Sequence, residues 1–329
     1  MRGALVGCGY FGQIQLEAWR RIEDVEIIAA CDLDLAKAQA CASKAYDSVD
    51  RMLDEVEVDF LDVATRPESH ADLIEIAAKR GLAVICQKPV APTLEQAVKM
   101  AVLAESAGIR VMVHENWRWQ PWYREAHKQI QAGAIGHPIT YFFRHRQRDG
   151  LGPEPYPNQP YFREMPRLLM HETLVHYIDT ARFLFGSIEG VYARTRRVNP
   201  MIQGEDGAIL QIDHTLGAVG TINGNRYLDP EGPGPVMGEA LIEGDQSAIR
   251  IASNGELYID RKLAWKPTAE AGYRGDSVHA TQQHFVDCLR SGEFFETELV
   301  DYIDTVVAVE AAYRSAQSGE RVRPSTLVP

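Results

Sequence analysis

Short apolar runs alternate with amphipathic stretches through the first third of the chain. Ala4–Val6, Glu26–Cys31, Phe60–Ala64, Ala83–Cys86 and Val111–Val113 have strand length and little polar content. That is the pattern of strands buried on both faces of a parallel sheet. Between them, Gln13–Arg21, Leu35–Lys44, Ser69–Lys79 and Leu94–Ser106 read as helices. Gly81 and Gly108 stand where a left-handed cap would end the last two. The alternation predicts an α/β domain with a doubly wound parallel sheet over residues 1–116.

The texture changes from Trp117 onward. A helix over Trp122–Ala132 leads into an alternating strand, Ile139–Arg148, and then a proline-rich, aromatic loop from Gly150 to Pro166. A helix over Leu174–Phe185, closed by Gly186, comes next. Residues 188–265 hold recurrent short β runs with glycine turns, among them Ala208–Thr215, Ala218–Asn223 and Ala248–Ile251. Helices over Val278–Leu289 and Leu299–Ser318 finish the pattern, ahead of Gly292 and Gly319. Residues 117–329 therefore read as an α+β domain with a large, mostly antiparallel open sheet. There is no internal repeat and no low-complexity tract.

Composition agrees with two ordinary cores. The 329 residues are 45% hydrophobic and 24% charged, enough to bury a core in each domain without staples. The formal net charge of −12 speaks against a nucleic-acid binder or an anionic-membrane binder, since both need a cationic surface. Five scattered cysteines, odd in number and never spaced as Cys-x-x-Cys, read as reduced core thiols, with no metal site expected. No run approaches the roughly 18 apolar residues of a membrane span, and the first strand leaves no room for a signal peptide. A cytoplasmic protein is the expectation.

Gly7-Cys8-Gly9-Tyr10-Phe11-Gly12 links the first strand to the first helix. In that context a Gly-x-Gly-x-x-Gly turn has physical meaning. Gly7 allows the tight turn, Gly9 lets a pyrophosphate approach the backbone, and Gly12 lets helix and strand pack closely. The free N–H groups of the helix start would hold the anion, with Tyr10 and Phe11 beside it. Asp32, at the end of the second apolar run, would accept hydrogen bonds from the adenosine ribose and repel a 2′-phosphate. Leu33 and Asp34 follow it, with no arginine to receive that phosphate, so NAD is preferred over NADP.

Four further segments carry a resemblance. Thr65-Arg66-Pro67-Glu68-Ser69-His70 and Gln87-Lys88-Pro89 each follow a strand, and Glu172-Thr173-Leu174-Val175-His176 opens a helix reaching Asp179. The last is Val309-Glu310-Ala311-Ala312-Tyr313-Arg314-Ser315-Ala316. With the glycine turn, and in this order, they resemble the glucose–fructose oxidoreductase/inositol dehydrogenase (Gfo/Idh/MocA) family across nearly the whole chain. The resemblance implies an NAD-dependent oxidoreductase acting on a carbinol of a sugar, cyclitol or related polyol, and a homo-oligomer formed through the open sheet. It implies that Thr65, Arg66, Pro67, His70, Gln87 and Lys88 join the cofactor site.

The family's Glu-Lys-Pro is here Gln87-Lys88-Pro89, so the resemblance makes Lys88 catalytic, its direction fixed by Pro89. An amine beside the nicotinamide would stabilise the alkoxide-like charge that develops as hydride leaves. The family's Asp-x-Gly-x-His appears as Glu172-x-Leu174-x-His176. Positions i and i+4 share a helix face. His176 is the natural base, because an unperturbed imidazole titrates at about 6.5. Glu172 would orient it or bind a neighbouring hydroxyl, and His171 is a weaker candidate.

Asn116 follows a strand at a family position near substrate or nicotinamide. Trp117, Arg118, Trp119 and Trp122 cluster after it, suited either to the apolar faces of sugars or to packing. The loop with Tyr156, Tyr161, Phe162 and Arg163 would serve as a lid, with Tyr161 on substrate, or as an oligomer contact. Arg144, Arg146 and Arg148 share one strand face, as do Arg194 and Arg196. Ion pairs between subunits are the first reading of them and an acidic substrate the second. Two other functions stay open, a glycosidase that uses bound NAD transiently and a non-catalytic NAD-binding regulator.

Overall fold

Each apolar run pairs with another in parallel, and the first sheet grows from these pairings. A computed structural model describes residues 1–230, 232, 234–268 and 272–327. The strands β1 (Arg2–Val6), β2 (Glu26–Cys31), β3 (Lys44–Tyr46), β4 (Phe60–Val63), β5 (Ala83–Gln87) and β6 (Val111–His114) form one sheet in the order β3-β2-β1-β4-β5-β6. Every pairing in it is parallel. The order reverses between β1 and β4, the switch point where doubly wound sheets bind ligands. Helices α1 (Tyr10–Trp19), α2 (Leu35–Cys41), α3 (Val49–Glu55), α4 (His70–Arg80) and α5 (Leu94–Ala107) connect the strands. Their ends obey local chemistry. Asp34, Ser48 and Thr93 cap α2, α3 and α5 through side-chain oxygens. Gly81 and Gly108 close α4 and α5 in the left-handed region, as their positions predicted.

The sequence pattern did not announce α3, and one boundary departs from it. The helix expected over Leu35–Lys44 stops at Cys41, and Lys44–Tyr46 turns into β3, pairing with Ala29–Cys31. An edge strand of three residues, one of them a lysine, is too short to show a period.

The second sheet has eight strands, adding β7 (Pro138–Arg146), β8 (Ile188–Arg196), β9 (Gly207–His214), β10 (Val219–Asn225), β11 (Gly238–Gly244), β12 (Ala248–Ile251), β13 (Leu257–Ile259) and β14 (Lys262–Trp265). Their order is β14-β13-β12-β11-β7-β10-β9-β8, and all neighbours are antiparallel except β10 and β7. One face is apolar and buried, with Tyr141, Phe143, Leu210, Ile212, Ile222 and Ile242 on it. Helices α6 (Pro121–Gln131) and α7 (Val175–Phe185) cover it, as the contacts of Phe143 with Tyr123 and of Tyr141 with Phe185 record.

On the other face Arg144 donates to Glu239 at 3.0 Å, Arg146 to the Asn223 carbonyl at 2.8 Å, and Arg194 to Tyr192 at 2.8 Å. These three arginines therefore have partners within the chain. The Gly150–Pro166 loop is packed, with Tyr156 and Phe162 buried against Leu168 and Ile202.

The chain forms two compact units, and the first is discontinuous: residues 1–116 and 271–303 make one, residues 117–270 and 304–329 the other. A single cut after Asn116 does not describe this. Helix α8 (Ser277–Ser291) returns to the first unit because its apolar stripe has a core there, Phe285 and Val286 joining Trp19, Phe60, Ile85 and Met112. The chain then ends in α9 (Leu299–Ser318) and a short 3-10 turn. Among the described residues no helix is long and apolar enough to cross a membrane, and all five cysteines are buried and free. Removing the Phe285 ring should lower the stability of the first unit by about 3–5 kcal/mol, read as a urea-midpoint shift for Phe285→Ala. A loss near zero would detach α8 from that core.

Candidate active site

The glycine turn is tight for reasons internal to the protein at two positions and not at the third. Gly7 has φ +95°, and a Cβ there would lie 2.7 Å from the Ala64 carbonyl at the end of β4. A Cβ on Gly12 would lie 2.2 Å from the Gly7 oxygen. No backbone shift of a few tenths of an ångström relieves such overlaps. Gly9 is different, because nothing lies within 4 Å of where its Cβ would sit. The open space lies at the N-cap of α1, whose first turn has no side-chain cap and no acidic residue. A helix start without a side-chain cap and a Cβ-free approach fit a diphosphate.

Asp32 braces this turn. Its Oδ2 accepts the Cys8 N–H at 2.8 Å and its Oδ1 accepts the Asp34 N–H at 2.9 Å. Each carboxylate oxygen keeps further acceptor capacity, which suits ribose hydroxyls. Tyr10 is exposed, while the Phe11 ring meets His114 and Tyr273 edge-on at 6.2 and 5.6 Å.

After β4, Thr65 and Arg66 lead into a 3-10 turn, Pro67–Ser69, and then α4. Ser69 Oγ donates to Thr65 Oγ1 at 2.7 Å. His70, expected in the cofactor site, is fully buried. Its Nδ1 lies 3.0 Å from the Val90 carbonyl and its Nε2 3.2 Å from that of Thr65. Burial pushes its titration down. It ties the Thr65 turn to the segment that follows Lys88.

The Lys88–Pro89 bond is cis. The Lys88 N–H donates to Gln87 Oε1 at 2.8 Å, and Gln87 Nε2 donates to Gln15 Oε1 at 3.4 Å. Gln15 Nε2 donates to Asp62 Oδ1 at 2.7 Å, and Trp19 Nε1 to Asp62 Oδ2 at 2.6 Å. Burial pushes the Asp62 carboxyl up to about 7, while the bonds from Trp19 and Gln15 pull the other way. Asn116 donates through Nδ2 to Ser277 Oγ at 2.8 Å.

In the second unit, His176 stacks on Trp117 with centroids 4.6 Å apart and planes 16° from parallel, and both are buried. Glu172 precedes it within a π-helical turn, Leu169–Leu174, that runs directly into α7. The start of this turn is pinned by Glu205, which accepts from the N–H groups of Leu168 and Met170 and from the Tyr313 hydroxyl. His171 lies in the same turn, its N–H donating to the Tyr313 hydroxyl. Wide π turns are enriched at functional sites.

The Glu172 carboxylate accepts from the Thr173 hydroxyl at 2.7 Å and pairs with Arg226 at 3.2 Å. Arg226 also clasps Asp149 through both Nε and Nη2 and lies over the Tyr156 ring. Arg118, read as a substrate contact, instead directs Nε and Nη2 at Asp179, each at 2.7 Å, in a buried bidentate pair. Tyr161 is half-buried and accepts from Gln159 at 3.1 Å.

Sequence reasoning passed over Arg226, Asp149, Asp62 and Gln15. For Asp62 a signal existed, an acid inside the apolar run Phe60–Ala64. For Arg226 there was none, because its partners lie 77 and 54 positions away.

Comparison with known proteins matches both parts of the chain. Residues 1–115 match an oxidoreductase family with an NAD-binding Rossmann fold, and residues 123–246 match the GFO/IDH/MocA C-terminal domain. A D-apiose dehydrogenase of Paraburkholderia graminis is 34% identical over 99% of this chain and 90% of its own length. A D-apiose dehydrogenase of Rhizobium rhizogenes is 35% identical over 98% of this chain and 97% of its own. An oxidoreductase from Agrobacterium radiobacter, solved with NAD+, L-tartaric acid and magnesium, superposes with TM-score 0.91 at 34% identity, covering 100% of this chain and 99% of that one. The strand order, the glycine turn and these matches agree, and the chain belongs to the Gfo/Idh/MocA family of NAD-dependent oxidoreductases.

Proposed function

We propose that the protein oxidises a free sugar, with D-apiose as the first candidate, at the hemiacetal carbinol. The observation that carries the substrate is that two full-length relatives at 34% and 35% identity bear that one activity. Dinucleotide binding is assigned to the first unit, at Gly7, Gly9 and Gly12, with Asp32 on the ribose and Thr65, Arg66 and Pro67 along the edge. Substrate contacts and subunit association are assigned to the second unit. Buried, free thiols support a reducing, cytoplasmic setting. Exposed Ile139, Ile209 and Val219 on the large sheet support a homo-oligomer.

Bound NAD supplies the hydride acceptor. Lys88 donates a hydrogen bond to the reacting oxygen and stabilises its growing negative charge. His176, held flat by Trp117, receives the hydroxyl proton. The C–H pair leaves as hydride, the O–H proton leaves to the imidazole, and a lactone C=O remains. Glu172 shapes the π turn beneath His176 through Arg226 and Thr173, a positioning role. Asn116, Trp117 and Tyr161 are assigned to substrate, and Tyr10 and Phe11 to the cofactor side.

With NAD and a panel of D-apiose, other aldoses and myo-inositol, NADH should accumulate with a kcat/KM for D-apiose at least about tenfold above the rest. NADH formation from cyclitols alone would overturn the substrate. Lys88→Ala should lower kcat by about two orders of magnitude or more with NAD still bound; near-normal turnover would remove the amine from the chemistry. Gly9→Ala should fold normally and weaken NAD about tenfold or more, because its methyl fills only the open approach. Gly12→Ala should lose about 1–3 kcal/mol or more of stability. The reverse order in calorimetry and NAD titration would contradict the assignment of the turn.

A further inference from the structure

Asp62 sits mid-strand in β4, paired with Leu5 on one side and Ile85 on the other, with no exposed surface. A carboxylate in that position is expensive, and an apolar residue would serve the sheet better. Its two donors, Trp19 and Gln15, are neutral, so it does not belong to a salt bridge with them. Something else must account for it.

The hydrogen-bond polarity does. Both Asp62 oxygens face N–H groups and accept from them, and the Trp19 indole only donates. Gln15 must therefore turn Nε2 toward Asp62, which leaves its Oε1 facing Gln87. Gln87 must then turn Nε2 toward Gln15, which leaves its Oε1 as the acceptor for the Lys88 N–H. Gln282 fixes the relay laterally by donating to the Gln15 backbone carbonyl at 3.1 Å. Every donor along the chain points toward Asp62, and the far end is the peptide of Lys88.

We propose that Asp62 is a positioning residue for Lys88, acting through the buried amides of Gln15 and Gln87, which its two oxygens force into the one orientation that anchors the Lys88 backbone. The proposal rests on Lys88 being the catalytic amine. It also accounts for Gln at position 87, where the family's motif has Glu. With both Asp62 oxygens accepting, position 87 must both donate and accept, which an amide does and an ionised carboxylate does not.

The test is a polarity reversal in the full-length protein. In Asp62→Asn, the indole N–H cannot turn, so the introduced amide gives its oxygen to Trp19 and its NH2 group to Gln15. Both glutamines then flip, and Gln87 presents Nε2 to the Lys88 N–H, where partial exposure lets water take the orphaned donor. Exchange of the Lys88 amide, followed by NMR, should accelerate about tenfold. The kcat should fall about 10- to 100-fold with NAD affinity within about threefold.

Adding Gln87→Glu should restore both. The amide at position 62 then donates to Gln15, and Gln15 donates to the carboxylate introduced at position 87. That carboxylate accepts from the Lys88 N–H. Gln15→Met cuts the relay in its middle, should mimic Asp62→Asn, and should gain nothing from Gln87→Glu; it serves if Asp62→Asn fails to fold. Unchanged Lys88 exchange in Asp62→Asn, or a double variant no better than the single, overturns the relay. Lys88→Ala measured alongside separates the two ideas. If it retains turnover the role of the amine falls, while the exchange data still decide the relay.

Discussion

The near-contact of Gly12 with the Gly7 carbonyl is the constraint from which the first unit is built. A side chain at position 12 would lie 2.2 Å from that oxygen, so α1 can start only where two glycines permit. That start points the helix N-terminus along the end of β1, at the place where the strand order reverses. Asp32 reaches across from β2 to hold Cys8, and the Ala64 carbonyl closes the turn from β4. Three strand ends thus converge on one short loop. The proposed anion site is a consequence of that convergence, and Gly9 is the position where a Cβ would meet nothing within 4 Å.

Interior polar groups do different work in the two units. In the first, a directed chain of amides ends on the Asp62 carboxylate. In the second, such groups are clasped ion pairs, Arg118 with Asp179 and Arg226 with Asp149 and Glu172. Buried pairs of this kind add little net stability compared with apolar replacements, but removing one partner strands a charge. They fix where helices and turns sit. The π turn at Leu169–Leu174 is held at its start by N–H groups bonded to Glu205 and further along by the Arg226 pair on Glu172.

Much of this was legible in the chain, and what was not has definable physical causes. Most of the parallel strands, the glycine turn and the glycine caps are local, so hydrophobic period and Gly placement disclosed them. The strand Lys44–Tyr46 was hidden by its length. The π turn was hidden because a 3.6-residue period carries no mark of a wider one. The pairing of Arg118 with Asp179, 61 residues on, and the bonds of His70 to two loop carbonyls lie equally outside the reach of pattern. The return of α8 to the first unit is a matter of which core its stripe fits, which pattern alone does not say.

Hydride transfer from sugar to nicotinamide is the claim on which the functional reading stands, and isotopic labelling addresses it directly. D-apiose carrying deuterium at the hemiacetal carbon would be turned over with NAD, and the coenzyme product examined by mass spectrometry. Direct transfer requires one deuterium in each NADH formed. Unlabelled NADH, or deuterium appearing only in water, would contradict it.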